Sequence, residues 1–315
     1  MRLRHGFVLA FAATLLAACG TTEAPQSEGP TAITIVDDRG TTIELSAPAT
    51  RVVALEWNAV ENLVSLGVMP VGVADPTNYA IYVHTTPLSG DVADVGVRGE
   101  PSVDAIAGLA PDLVVVTNDL AESAIAQIER FAPVLVLRGA DASDGIGQMM
   151  RNIEKIATAT GRTDKAEQLV ADFEAKLDEG KQSLAGVAGE AFALSDAFAY
   201  GGQIYIRPYH KGSLLSDVTE RLGLANGWAG EGDADYGLGQ ADVEGLTALD
   251  ADVHFIYLGG SEQDVYANEL AGNPIWTSLP FVTAGNVHRL HDGIWPFGGP
   301  SSMIDYIDAV VSALG

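Results

Sequence analysis

From Arg51 onward, short apolar runs alternate with helical stretches, and a single helix-length segment interrupts that alternation once. The apolar runs are Arg51–Leu55, Val68–Ala74, Asp112–Thr117 and Val134–Leu137. Ala59–Leu66 reads as a helix closed by Gly67, Ser102 caps a second through Leu109, and Leu120–Phe131 is a third. Buried strands separated by helices imply parallel βαβ units. The rhythm breaks at Ser143–Thr160, where Ile146, Met149, Met150, Ile153, Ile156 and Ala157 follow a helical period and Gly161 ends the run. A second helix is expected over about Asp164–Leu184. Strand-like stretches resume at Ala191–Ala199 and Gln203–Ile206, and again at Val253–Leu258. Helices are expected at Ser213–Leu222 and Ile304–Leu314. An α/β fold follows, with two lobes and a long helix between them. The expected units are an N-terminal lobe over 33–140, a connecting helix over 141–162 and a C-terminal lobe over 163–315.

The two halves echo each other. Ser102–Val115 (SVDAIAGLAPDLVV) parallels Asp242–Phe255 (DVEGLTALDADVHF), each a short helix leading into a buried strand. Ahead of the first lobe, Thr31–Asp38 and Thr41–Leu45 form an expected hairpin around Arg39-Gly40.

The N-terminus sets the compartment. Arg2 and Arg4 precede an apolar run from Gly6 to Leu16, too short for the ~20 residues that span a bilayer. The run ends in Leu16-Ala17-Ala18-Cys19, the pattern of a bacterial lipoprotein signal. Residues 1–18 are therefore the expected signal peptide, Cys19 the lipidated residue, and 19–32 a flexible tether rich in Pro, Gly, Ser and Thr. Cys19 is the sole cysteine, so no internal disulfide framework exists. The chain would be exported and held by lipid on the outer face of the cytoplasmic membrane, in a periplasm or at a cell surface.

Charge excludes some partners. The net charge is −25, and loss of Arg2 and Arg4 with the signal leaves the mature chain at −27. Such a field repels nucleic acid. Enzyme motifs are lacking: there is no G-x-S-x-G, H-E-x-x-H or Walker A pattern, and Gly237-x-Gly239 lacks the third glycine of a dinucleotide site. No catalytic role, resident cofactor or metal site is expected. The six histidines are dispersed, and His210-Lys211 reads as an exposed turn.

Ligands of open α/β sheets bind beyond the carboxyl ends of the strands. Residues there include Glu56 and Trp57, then Asn78, Tyr79 and Tyr82, then Arg98; the second half adds Tyr200, Trp228, Tyr236, Trp295 and Phe297. Aromatic walls with an arginine suit a large, partly apolar ligand that exposes oxygens.

These segments carry a family resemblance. Arg51-Val52-Val53-Ala54-Leu55-Glu56-Trp57, Gly72-Val73-Ala74-Asp75, Asp94-Val95-Gly96-Val97-Arg98-Gly99-Glu100-Pro101, Asn273-Pro274-Ile275-Trp276 and Leu279-Pro280-Phe281-Val282 resemble the siderophore-binding proteins of ABC importers, especially the ferric hydroxamate binders. The resemblance runs from about Ile33 to Leu314. It implies a class III periplasmic binding protein, monomeric, with two Rossmann-like lobes joined by one long rigid helix, that delivers a ferric siderophore to a permease and its ATPase. It implies ligand contacts from Arg98, Trp57, Tyr82, Tyr236 and Trp295, to which the run of cleft aromatics adds Trp228 as an expected contact. The family's ligand-contacting Tyr is missing from Asn118-Asp119-Leu120-Ala121-Glu122, so Asn118, Tyr79 or Tyr82 is expected to take its place. Asp104 and Glu244, paired in the internal echo, match acidic residues that dock to the permease. Ferric citrate, haem and cobalamin are the alternative ligands.

Overall fold

A computed structural model describes residues 32–259 and 264–315. The signal segment, Cys19 and the tether up to residue 31 lie outside the described residues.

A hairpin of β1 (Ile33–Val36) and β2 (Thr42–Leu45) comes first. It is followed by β3 (Val52–Ala54), α1 (Trp57–Ser65), β4 (Gly72–Val73), α2 (Pro76–Tyr82) and β5 (Ala93–Asp94). A small ribbon of β6 (Gly96–Val97) and β7 (Glu100–Pro101) leads to α3 (Val103–Gly108), β8 (Leu113–Thr117), α4 (Glu122–Ile128) and β9 (Val134–Leu137). Strands pair in the order β5-β4-β3-β8-β9, all parallel. Every residue of β8 and β9 is buried, as a sheet covered on both faces requires.

Two helices then cross between the lobes, α5 (Gly145–Thr160) and α6 (Thr163–Ser183). Asp144 caps α5 by accepting from Gly147 N, and Gly161 ends it at a φ of 65°. The second lobe contains β10 (Ala191–Tyr200), β11 (Gln203–Pro208), α7 (Leu214–Arg221), β12 (Ala225–Asn226) and β13 (His254–Tyr257). It ends with α8 (Pro274–Ser278), α9 (Pro280–Thr283), β14 (Val287–Arg289) and α10 (Pro300–Leu314). Its sheet runs β11-β10-β13-β14, with β12 beside β10 and only the β10–β11 pair antiparallel.

The apolar stripe of α5 is divided. Met149, with Ile146 and Met150 against it, joins the second lobe's core beside Leu215 and Met303. Ile153, Ile156 and Ala157 join the first lobe's core beside Val52 and Leu63. Its polar side is also fixed, since Asn152 Nδ2 donates to the Arg138 carbonyl at 3.0 Å and Gln148 Nε2 to Asn152 Oδ1 at 2.8 Å.

A polar seam on α1 completes the join. Glu61 is fully buried and accepts from Ser302 N at 2.8 Å and Ser302 Oγ at 2.7 Å. It therefore caps α10, which has no side-chain cap of its own, from the opposite lobe. Asn58 Nδ2 donates to the Phe297 carbonyl at 2.8 Å, and the Ser65 and Ser301 hydroxyls meet at 2.8 Å. Gly298 and Gly299 allow this approach: a Cβ on Gly298 would lie 2.4 Å from Glu61 Oε2, and one on Gly299 2.2 Å from Asn62 Oδ1. Burial pushes the Glu61 carboxyl up to about 7, partly offset by hydrogen bonds from Ser302 and Gly299.

Several expectations are corrected here. The segment holding Asn78, Tyr79 and Tyr82 is helix α2, started by Asp75 at its N-cap and Pro76 in its first turn. Helical spacing turns Tyr79 inward, where it is fully buried and its hydroxyl donates to the Thr86 carbonyl at 2.8 Å. Tyr79 is thus a core residue and not a ligand contact. The short helix expected in the second half of the internal echo is a 3-10 turn, Gly245–Ala248. His210 is buried against the Trp228 ring at 6.1 Å, while Lys211 alone is exposed.

Two predictions follow from this packing. Tyr79→Phe should lower stability by about 1 kcal/mol in denaturant unfolding while leaving ligand affinity as it was, because only the bond to Thr86 is lost. Glu61 has a folded pKa raised above its unfolded value of 4.5. The folded state then binds the proton more tightly, so this group's favourable contribution is full below pH 4.5 and is lost as the pH rises through about 7. In Glu61→Gln that pH-dependent loss, on the order of 3 kcal/mol, should vanish when its unfolding free energy is compared with that of the parent from pH 4 to 8.

Candidate functional site

The carboxyl ends of the strands meet in a cleft between the lobes. Two cavities make it up, an inner one of 410 Å³ and an outer one of 500 Å³. Arg98, Arg207 and Phe297 line both. Each is within the usual range for a small-molecule site.

The first lobe supplies an aromatic and cationic cluster. Trp57 opens α1, and its indole N–H donates to the Ala74 carbonyl at 3.1 Å, which fixes the ring. Tyr82 stacks on it at 5.8 Å, and Trp295 from the second lobe meets it edge-on at 4.8 Å. The Arg98 guanidinium lies 3.9 Å from the Trp57 ring centre and 5.3 Å from that of Trp295. Arg98 comes from the turn of the β6–β7 ribbon, and its Nη1 donates to Glu56 Oε1 at 2.9 Å. The same Glu56 oxygen accepts from Trp57 N at 3.0 Å and caps α1. Burial raises the Glu56 pKa, with the Arg98 charge acting against it. The Trp295 indole N–H is buried and has no acceptor among the described residues.

The second lobe adds a matching pair that sequence reasoning missed. Asp196 on β10 faces Arg207 on β11 in the antiparallel register. Arg207 Nε donates to Asp196 Oδ1 at 2.9 Å, Arg207 Nη2 donates to Asp196 Oδ2, and the Tyr209 hydroxyl reaches the same oxygen at 3.2 Å. The signal was available: continuing the Gln203–Ile206 strand pattern by two residues brings Arg207 into the ladder.

Tyr236 bridges the lobes. Its loop is built on Asp233, which accepts from the backbone of Asp235, Tyr236 and Leu238. The Tyr236 hydroxyl donates to Asp119 Oδ2 at 2.6 Å, and its ring packs edge-on against Phe297 at 5.2 Å. Burial and the Asp119 carboxylate hold the phenol well above its ordinary pKa.

Arg98, Trp57, Tyr82, Tyr236 and Trp295 are therefore gathered in one cleft. Two other expected contacts are not. Asn118 uses Oδ1 to accept from Gly139 N at 2.9 Å, which ties together the loops after β8 and β9, and Asp119 lines the cavity in its place. Trp228 is drawn into the second lobe, where its indole N–H donates to the Leu194 carbonyl at 2.8 Å, and it lines neither cavity. Asp104 and Glu244 are both exposed, Asp104 in the first turn of α3 and Glu244 at the cap of the Gly245–Ala248 turn, each ahead of a buried strand. Among the described residues no group of three His, Cys, Asp or Glu could hold a metal ion.

Comparison with known proteins follows the same outline. Relatives include the iron(3+)-hydroxamate-binding protein of Escherichia coli (strain K12), 28% identical over 269 residues, or 84% of this chain and 87% of that protein. The Fe(3+)-citrate-binding protein of Bacillus subtilis (strain 168) is 26% identical over 302 residues, 91% of this chain and 89% of that one. The solved Fe3+-Desferal-bound siderophore binding protein of Vibrio cholerae superimposes with a TM-score of 0.73 at 25% identity, covering 84% of this chain and 97% of its own. The family described as periplasmic binding protein matches residues 52–293, and the chain belongs to that family.

Proposed function

We propose that this chain captures a ferric siderophore outside the cytoplasm, a hydroxamate complex in preference to others, and delivers it to the permease of an ABC importer. The observation that carries the reading is the Arg98 guanidinium laid over Trp57 at the junction of the two cavities. A planar fork held there presents N–H donors to the oxygens of a bulky complex, while the aromatic rings cover its hydrocarbon parts. The iron of such a complex is already saturated by siderophore oxygens, so the protein supplies no metal ligand. The relatives that bind ferric hydroxamate and Fe3+-Desferal support this class.

Ferric citrate is a second reading, favoured by the additional guanidinium of Arg207 and by the citrate-binding relative. Asp104 and Glu244, one exposed carboxylate on each lobe, are the proposed contacts to basic pockets of the permease. Cys19 is the proposed lipid anchor.

Quenching of intrinsic Trp fluorescence tests the ligand, since Trp57 and Trp295 line the outer cavity. A ferric trihydroxamate should quench saturably, and Arg98→Ala should weaken it by about tenfold or more. Quenching by citrate alone would move the ligand to the second reading; a response to haem or cobalamin alone would end both. Cys19→Ala should shift the expressed protein from the membrane fraction to the soluble one.

A further inference from the structure

Both guanidiniums in the cleft already have a carboxylate partner on their own lobe. Arg98 is paired with Glu56, and Arg207 with Asp196. A third carboxylate, Asp119, lines the inner cavity and is bonded to the hydroxyls of Tyr236 and Thr117. Among the described residues, the charged side chains lining the two cavities are therefore two cations and three anions. Despite its two arginines, the described lining is formally anionic by one charge.

The pairing leaves donors free without leaving charge free. Arg98 engages only Nη1 with Glu56, and Arg207 engages Nε and Nη2 with Asp196. Arg98 retains N–H groups on Nε and Nη2, and Arg207 retains those on Nη1. A neutral ligand oxygen can accept from these while both ion pairs stay intact. A polyanion would gain only by pulling a guanidinium from its partner. That would strand Glu56 or Asp196, whose side chains are each only 19% exposed. Breaking a largely buried pair leaves an uncompensated charge, which is strongly unfavourable.

We infer that Glu56 and Asp196 are charge-selecting residues, which by matching Arg98 and Arg207 make the cleft accept neutral or cationic ferric complexes and reject polyanionic ones. The inference rests on the siderophore reading and narrows its substrate class. A hydroxamate is a bidentate monoanion, so three of them around Fe(III) make a neutral complex, or a cation when the backbone carries an ammonium. A catecholate is a dianion, and three around Fe(III) make a trianion. Ferric citrate complexes are anionic as well. The two carboxylates act through the arginines and need not touch the ligand.

The test compares dissociation constants of ferrichrome (neutral), ferrioxamine B (cationic) and a ferric tris-catecholate (trianionic). The parent, Glu56→Gln and Asp196→Asn are each titrated at low and high salt. Gln at position 56 keeps an amide oxygen for the α1 cap, and the two substitutions lie on different lobes, so each checks the other. The parent should favour the neutral and cationic complexes over the trianion by about 100-fold or more. Each variant should narrow that ratio by about tenfold, through tighter binding of the trianion, and most of that gain should persist at high salt because the carboxylates are largely buried. A purely structural defect would weaken all three ligands together. A parent that binds the trianion within about tenfold of ferrichrome overturns the inference while leaving the siderophore reading intact. So does a ratio that neither folded variant changes. If the parent binds none of the three ferric complexes, the siderophore reading fails and the inference falls with it.

Discussion

Dividing the apolar face of α5 between two cores is the constraint on which the rest of the architecture depends. Met149 is buried with the second lobe, and Ile153, Ile156 and Ala157 with the first. The next helix repeats the arrangement: Ala166 joins the first core, and Phe173 and Leu177 join the second. Bending either helix at the junction would pull apolar side chains out of one core, at about 25 cal/mol per Å² exposed. The lobes are therefore held as neighbours by packing. The α1–α10 seam adds direction to that restraint. Its bonds are polar and buried, so a shift that unpaired Glu61 from Ser302 would leave both unsatisfied.

The same seam positions the ligand cleft. Asn58 grips the carbonyl of Phe297, and Glu61 holds the start of α10 a few residues beyond. Trp295 and Phe297 lie on that short connection, so their rings are set by contacts with the opposite lobe. Trp57, one turn before Glu61 on α1, meets Trp295 directly. Cleft geometry and lobe geometry are thus one problem, solved by a single helical face that carries Trp57, Asn58, Glu61 and Asn62.

Much of this was legible in the sequence because strand and helix periods are local properties. Val134–Leu137 occupies the expected strand, and the long helix starts only two residues after Ser143. Arg98, Trp57, Tyr82, Tyr236 and Trp295 were identified by their place after strands, and the structure does gather them. What failed depends on side-chain direction and long-range partners. Tyr79 and Tyr82 are three residues apart on nearly the same face of α2, yet one is fully buried and the other 41% exposed, because Tyr79 packs mid-helix with its hydroxyl on Thr86 while Tyr82 ends the helix at the cavity. Trp228 is held by a carbonyl 34 residues away, and Asn118 by an amide 21 residues away. Arg207 was overlooked because Arg-Pro-Tyr-His-Lys resembles a turn, although its first residues continue β11 opposite Asp196. Glu56 stood in plain view after β3, but its pairing with Arg98 spans 42 residues and has no local signature.

Electrostatics connects the cleft to the chain as a whole. A net charge of −25 places an anionic field around the molecule, and a polyanionic ligand meets that field before it touches the cleft. Beyond about 8 Å at physiological ionic strength that long-range part is screened. The paired carboxylates inside the cleft are shielded less, because their side chains are only 19% exposed. Selection by charge therefore has two components with different salt dependence. The outer one governs encounter and fades as salt is added, while the inner one governs residence and survives it. An anion binder on this scaffold would need Glu56 and Asp196 replaced before more surface lysines could help, since the paired carboxylates would still neutralise Arg98 and Arg207.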